Sequence, residues 1–286
     1  MDKFLLIFFM LLRIFSSPIA SVFQKKLSNN NSSFTINMYC YLFLSILCLF
    51  KIENIITFQY STEFIILVLT CGILCTLGML CMIKAINIGE LSVLGPINSY
   101  KSVIGLIIAM FLLKEIPSIT GIIGIILVIW GSKYVLSNPD EKFSLNIFKR
   151  KDIQLRFTAL TLTAIEAVFL KKIILISSVE ICFIFWCFMG FFWSLILLLL
   201  FKKPFKIEIK KDYLQICLVA ICLGIMQYST NFVFEKMNVG FALALFQLSA
   251  IVTVLFGYKI FHETNIKYKL IGSIIMIIGA TLIIFS

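Results

Sequence analysis

The chain has 286 residues, of which 61% are hydrophobic and only 14% charged. A soluble domain of this length cannot hide so much apolar surface, so a membrane protein is expected. The formal net charge of +11 comes from lysines clustered between apolar runs, where they report topology and give no reason to expect a nucleic-acid partner.

A helix needs about 20 apolar residues to cross the hydrocarbon core, and breaks at charges and turn residues give ten candidate spans. Span 1, residues 4–24, is followed at once by more apolar sequence with no small-residue cleavage site, so no cleaved signal peptide is expected. It carries Arg13 near its middle and Pro18 beyond it, and it closes on SPIASVFQKKL, Ser17 to Leu27. Span 2 covers 34–50, and span 3, at 64–83, sets Cys71 and Cys75 one turn apart, small enough to pack closely against a neighbour. Span 4, at 91–113, opens with NIGELS and contains Pro96; Gly95, Asn98, Lys101 and Gly105 share one face. Span 5, at 119–136, is apolar with Gly121, Gly124 and Gly131.

A polar linker at 137–154 separates two halves of five spans. Span 6, at 155–176, contains TAIEAVFLKKI (Thr163 to Ile173) with Glu166 in its middle; span 7, at 181–201, holds the aromatic run ICFIFWCFMGFFW. Such a run could stack a flat substrate or face lipid. Span 8, at 213–234, aligns Gln227 and Asn231 with Glu235 on one face. Span 9, at 241–261, follows NVGF and has Gln247 within it, and span 10, at 268–285, carries Gly272 and Gly279.

Three echoes tie the halves together. Ile19, Val22, Phe23, Lys25 and Lys26 match Ile165, Val168, Phe169, Lys171 and Lys172; NIGELS matches NVGFAL; and Glu115, Gly124 and Gly131 match Glu263, Gly272 and Gly279. Aligned echoes in the same order imply an internal duplication. A unit with an odd number of crossings leaves its copy inserted upside down. The expected fold is therefore an all-α integral membrane protein of ten transmembrane helices in two five-helix inverted repeats, 1–136 and 155–286, joined by the linker 137–154. Such symmetry supplies two nearly equivalent conformations open to opposite sides, which is what alternating access requires.

These features resemble the drug/metabolite transporter superfamily, in particular its EamA-like ten-helix members, through Asn87 to Glu115, Asn238 to Glu263 and the glycine-spaced helices after each. The resemblance covers nearly the whole chain and implies a transporter without fixing its substrate, since such members carry amino acids, nucleotide sugars, sugar phosphates, purines or drugs. Gln24 stands where sugar-phosphate and nucleotide-sugar members have Asn, which speaks against a phosphate ester. Glu115 and Glu263 look like the family's acid before spans 5 and 10; physically, each would complement the dipole of the helix it precedes, with Pro117 suited to the first turn of span 5. Orientation is read both ways. Lysines and arginines between spans, Arg156 among them, gather on the linker's side and would make it cytoplasmic, whereas the resemblance implies both termini inside.

Arg13, Lys101 and Glu166 lie roughly ten residues, on the order of 15 Å, from the ends of their spans, too deep for a side chain to reach water. Such groups face a cavity or a partner. Lys101 reads as a ligand for a substrate anion, as a partner of Glu166, or as each in turn; Arg13 reads as a ligand or a structural group. Pro18 and Pro96 can bend their helices. Substrate-binding candidates are thus Arg13, Asn98, Lys101, Glu166, Gln227, Asn231 and Gln247. Two positive charges against one negative favour an anionic or zwitterionic metabolite.

The expected function is secondary transport of a small polar metabolite, with the bilayer, the substrate and a coupling ion or exchange metabolite as partners, in the plasma membrane of a bacterium. Export of lipophilic or organic cations through Glu166 is the alternative; a membrane enzyme or lipid scramblase is the rival class, disfavoured by one histidine and no clustered carboxylates. No nucleotide-hydrolysis motif is present, nine cysteines within apolar runs outline neither a disulfide framework nor a metal site, and no cofactor is implied. Spans 5 and 10 read as packing helices and as a candidate homodimer contact.

Overall fold

The computed structural model describes residues 2–51, 53, 58–104, 118–136, 145–205 and 209–285. Among them every regular element is helical: α1 Asp2–Ser28, α2 Ser33–Cys48, α3 Thr62–Ile88, α4 Leu91–Leu94, α5 Ile119–Leu136, α6 Lys151–Ile176, α7 Val179–Leu200, α8 Ile209–Lys236, α9 Val239–Phe246, α10 Ser249–Phe261 and α11 Ile266–Ile284, with short 3-10 turns at Leu49–Lys51, Pro96–Ser99 and Leu145–Lys149. Eight helical stretches are long and apolar enough to cross a membrane. α6 is 26 residues long, but Arg156, Glu166, Lys171 and Lys172 interrupt its apolar character.

Helix starts follow local chemistry. Ser61 and Ser178 accept hydrogen bonds from the Phe64 and Ile181 amides at 3.1 and 3.2 Å, and the Asn238 side-chain Oδ1 accepts from Gly240 N at 2.9 Å. α6 begins at Lys151, inside the stretch expected as linker, because Asp152 sits in its first turn and pairs with Arg150 at 2.7 Å. Pro18 lies inside α1, whose helix runs unbroken from Asp2 to Ser28.

Spans 4 and 9 are interrupted. The first helical turn of span 4 stops at Leu94, a 3-10 turn covers Pro96–Ser99, and helix resumes over residues 100–104. Proline lacks the amide that would continue the ladder, which accounts for this break. Span 9 is one helix in the sequence reading but two in the structure, parted at Gln247 and Leu248. The offset that superposes NIGELS on NVGFAL also superposes Pro96 on Gln247, so both halves break their fourth helix at the matching place. Span 4 beyond residue 104, with Gly105, Glu115 and Pro117, and linker residues 137–144 lie outside the described residues.

The most extensive helix contacts pair α5 with α11, α1 with α8, α3 with α6 and α2 with α7. α5 and α11 meet through glycines: a Cβ on Gly124 would lie 2.6 Å from the Gly279 carbonyl oxygen, and one on Gly131 would lie 2.8 Å from that of Gly272. These glycine faces are therefore occupied within the chain. One apolar core is built mainly from α1, α2, α3, α7 and α8, a second from the α4 region with α5 and α11. A polar cavity lies between them.

Candidate functional site

The cavity has a volume of about 160 Å³ and is lined from both halves. α1 contributes Arg13, Ser17, Ala20 and Gln24, the same stripe that helical spacing predicts. The broken span 4 contributes Gly95, Asn98 and Lys101, α6 contributes Glu166, and α8 contributes Gln227. Five of the seven residues expected to bind substrate thus share one chamber.

The other two stand behind it. Asn231 is fully buried and accepts a hydrogen bond from Gln227 Nε2 at 2.9 Å, whereas Gln247 accepts one from Asn98 Nδ2 at 3.1 Å. Neither lines the cavity itself; each hydrogen-bonds an amide that does, Asn231 one turn further along the same face of α8 and Gln247 at the break in span 9. Glu235, expected on the same stripe as Gln227, instead pairs with Lys236 at 3.0 Å.

Arg13 donates from Nε to Thr230 Oγ1 at 2.9 Å and lies 4.9 Å from the Phe246 ring centre, while its buried Nη1 has no hydrogen-bond partner among the described residues. Glu166 is 5% exposed and accepts a hydrogen bond from Trp186 Nε1 at 3.2 Å, which is where the aromatic run of α7 reaches the site. Lys101 lies within electrostatic reach of Glu166, Arg13 and Arg156. Among the described residues the four close ion pairs are Lys25–Glu263, Arg150–Asp152, Lys236–Glu235 and Lys269–Glu90, so the expected Lys101–Glu166 partnership is not an ion pair here.

Arg156 was counted as a loop charge and is a cavity residue instead. It is 8% exposed, lines the chamber, and donates to the Leu94 carbonyl at 2.9 Å, Met82 Sδ at 2.8 Å and Asn98 Oδ1 at 3.2 Å. The signal was available: Arg156, Ala159, Thr163 and Glu166 follow one another at helical spacing, and all four line the cavity.

The Glu263 carboxylate also lies elsewhere than expected. It turns away from α11, whose first residues follow Asn265, and accepts from the backbone amides of Leu91 and Ser92 at 2.8 Å each, at the N-terminus of α4. Lys25 Nζ joins it at 2.9 Å and also reaches the Gly89 carbonyl at 2.9 Å. Next to this knot, Lys269 holds Glu90 and Ser92. Burial pushes the Glu263 pKa up, but hydrogen bonds from Ser92 and Lys25 outweigh it and leave the carboxyl below its ordinary 4.5.

A multi-pass helical membrane protein whose deepest charges gather in one central chamber has the construction of a carrier. The EamA-like transporter family model matches residues 4–137 and again 151–285. The chain belongs to that family, and so to the drug/metabolite transporters. No curated protein matches the sequence. One solved structure, described as "Crystal structure of protein", is similar in fold, with 10% identity over 96% of this chain and 94% of that chain and a TM-score of 0.68.

Proposed function

We propose that this protein is a secondary transporter that moves a small polar metabolite, anionic or zwitterionic, by alternating access between two five-helix inverted repeats, 1–136 and 155–286. The observation that carries this reading is the convergence of Arg13, Asn98, Lys101, Glu166 and Gln227, from both halves, on one cavity, with Asn231 and Gln247 behind them. Two further facts support it. The main helix contacts are unchanged when the halves are exchanged, since α1 with α8 becomes α6 with α3, while α2 with α7 and α5 with α11 map onto themselves. Both fourth spans also break at matching positions, and discontinuous helices at a repeat interface are a usual way to build a transport site.

On this reading the carrier sits in a bacterial plasma membrane and draws on an ion gradient or an exchanged metabolite. A homodimer would use surface other than the paired glycines of α5 and α11. The test is uptake or counterflow in proteoliposomes with a panel of amino acids, dicarboxylates, sugar phosphates, nucleobases and lipophilic cations. Movement of a polar anion or zwitterion that is lost in Lys101→Ala supports the proposal. Movement of lipophilic cations alone, lost in Glu166→Gln, replaces it with the cation exporter.

A further inference from the structure

We infer that the substrate is a small dianion, seated jointly by Arg13, Lys101 and Arg156; this rests on the cavity being the transport site. The sequence-derived set holds two cations and one carboxylate, and Arg156 adds a third cation from α6. Among the described residues Glu166 is the only carboxylate lining the chamber, so two positive charges there have no counterpart among those residues. A monoanion or a zwitterion would leave at least one cation in the chamber without a counter-charge, which is unfavourable at a site withdrawn from bulk water.

The unused donors point the same way. An arginine carries five N–H groups and a lysine three. Arg13 commits only Nε, to Thr230, and its Nη1 is buried without a partner. Lys101 makes no hydrogen bond or close ion pair among the described residues, although Asn98 and Tyr100 beside it do. Arg156 is fixed differently: Leu94, Met82 and Asn98 each take one of its donors, so its guanidinium is held rigidly while further N–H groups on its terminal nitrogens stay available. A planar fork fixed in this way suits a carboxylate or phosphate better than it suits any neutral group.

Size narrows the class. A cavity of about 150 Å³ accepts a molecule the size of benzene, and this one is about 160 Å³. A ligand seated wholly within that volume is short, on the order of six to ten non-hydrogen atoms. A four-carbon dicarboxylate fits that size and charge, and a three-carbon phosphate ester carries the same two charges.

Equilibrium binding to the purified full-length protein, followed by thermal shift, tests this with succinate, butyrate as its monoanionic counterpart, alanine as a zwitterion, glycerol 3-phosphate, and tetraphenylphosphonium. Succinate should bind about tenfold or more tightly than butyrate, and Arg156→Gln should bring the two to within about twofold. Arg156→Lys, which keeps the charge, should retain part of the preference. If glycerol 3-phosphate binds and succinate does not, the dianion stands and its charge sits on one phosphate. Butyrate or alanine stabilising the wild type as strongly as succinate overturns the inference, whether or not the variants fold, and leaves the polar-metabolite carrier intact. Stabilisation by tetraphenylphosphonium alone overturns both.

Discussion

Lys25, at the end of the first helix, and Glu263, 238 residues later, meet at 2.9 Å while the same carboxylate caps the amides of Leu91 and Ser92. One acid from the second half thus closes a charge and a helix end belonging to the first. Removing an ionised acceptor from such a cluster costs about 2 kcal/mol or more.

The same cluster sets an acid limit. Because the folded pKa of Glu263 is depressed below 4.5, its contribution is present above the unfolded value and is lost as pH falls through the folded one. The melting temperature of the purified protein should decline below about pH 4.5. Glu263→Gln should be less stable at neutral pH yet lose less on acidification. Parallel pH profiles for the two proteins would show that the carboxylate is not linked to folding.

On the proposed function, Lys101 serves binding at the expense of stability. With no hydrogen bond or close ion pair of its own among the described residues, it keeps a half-buried charge that Glu166 offsets from beyond ion-pair distance. Lys101→Met should raise the melting temperature of the unliganded protein by an amount matching about 1 kcal/mol or more, while abolishing ligand-induced stabilisation. A loss of both stability and binding would mean that the lysine is a structural partner of Glu166.

Asn98 links two arms, donating to Gln247 and accepting from Arg156. Asn98→Leu strands both, and should cost about 2 kcal/mol. Gln247→Met costs less, and the double variant should be more stable than the sum of the two effects, by about 0.5 kcal/mol or more, because no acceptor is then left unmatched at that contact. Additivity in denaturation of the four proteins would show that the Asn98–Gln247 contact carries no coupling.

At the α5–α11 contact the group nearest Gly124 is backbone, which cannot swing aside. Gly124→Leu would press against the Gly279 carbonyl and the Ile283 side chain, 2.6 and 2.7 Å from its Cβ. It should destabilise by about 1–3 kcal/mol, whereas Ile126→Leu, on the exposed face of the same helix, should be neutral. Thermal melts of both variants check this.

Eight of the ten spans and the two-part match were legible because a bilayer imposes length and apolarity on each helix, and because the two halves keep marker residues such as Lys25 and Lys171. The α1 stripe through Arg13 was legible for a similar reason, since helical spacing alone fixes which residues share a face. Arg156 was not, because a charge near a helix end looks like a loop charge until the groups that solvate it, Leu94, Met82 and Asn98, are brought against it by folding. The break at Gln247 was hidden too. No proline or glycine marks it, and the sequence holds only its alignment with Pro96. Glu263 was assigned to the wrong helix because an acid beside a helix start normally serves that helix, and nothing local reveals a distant N-terminus competing for it.

Every group that holds the Arg156 side chain belongs to the first half, made earlier on the ribosome than α6 itself. An arginine in a lone helix in lipid costs up to about 3 kcal/mol at the helix centre and less towards its end, where Arg156 stands, so α6 enters the bilayer most readily when α3 and α4 are already there to receive it. The order of synthesis then becomes part of the design: the amino-terminal half can act as a docking template during biogenesis, and residues 151–286 produced alone should insert α6 poorly until residues 1–136 are supplied in the same membrane. Glycosylation-site mapping of the two halves, expressed apart and together, reads this directly, and equal insertion of α6 in both cases would mean that the helix needs no such template.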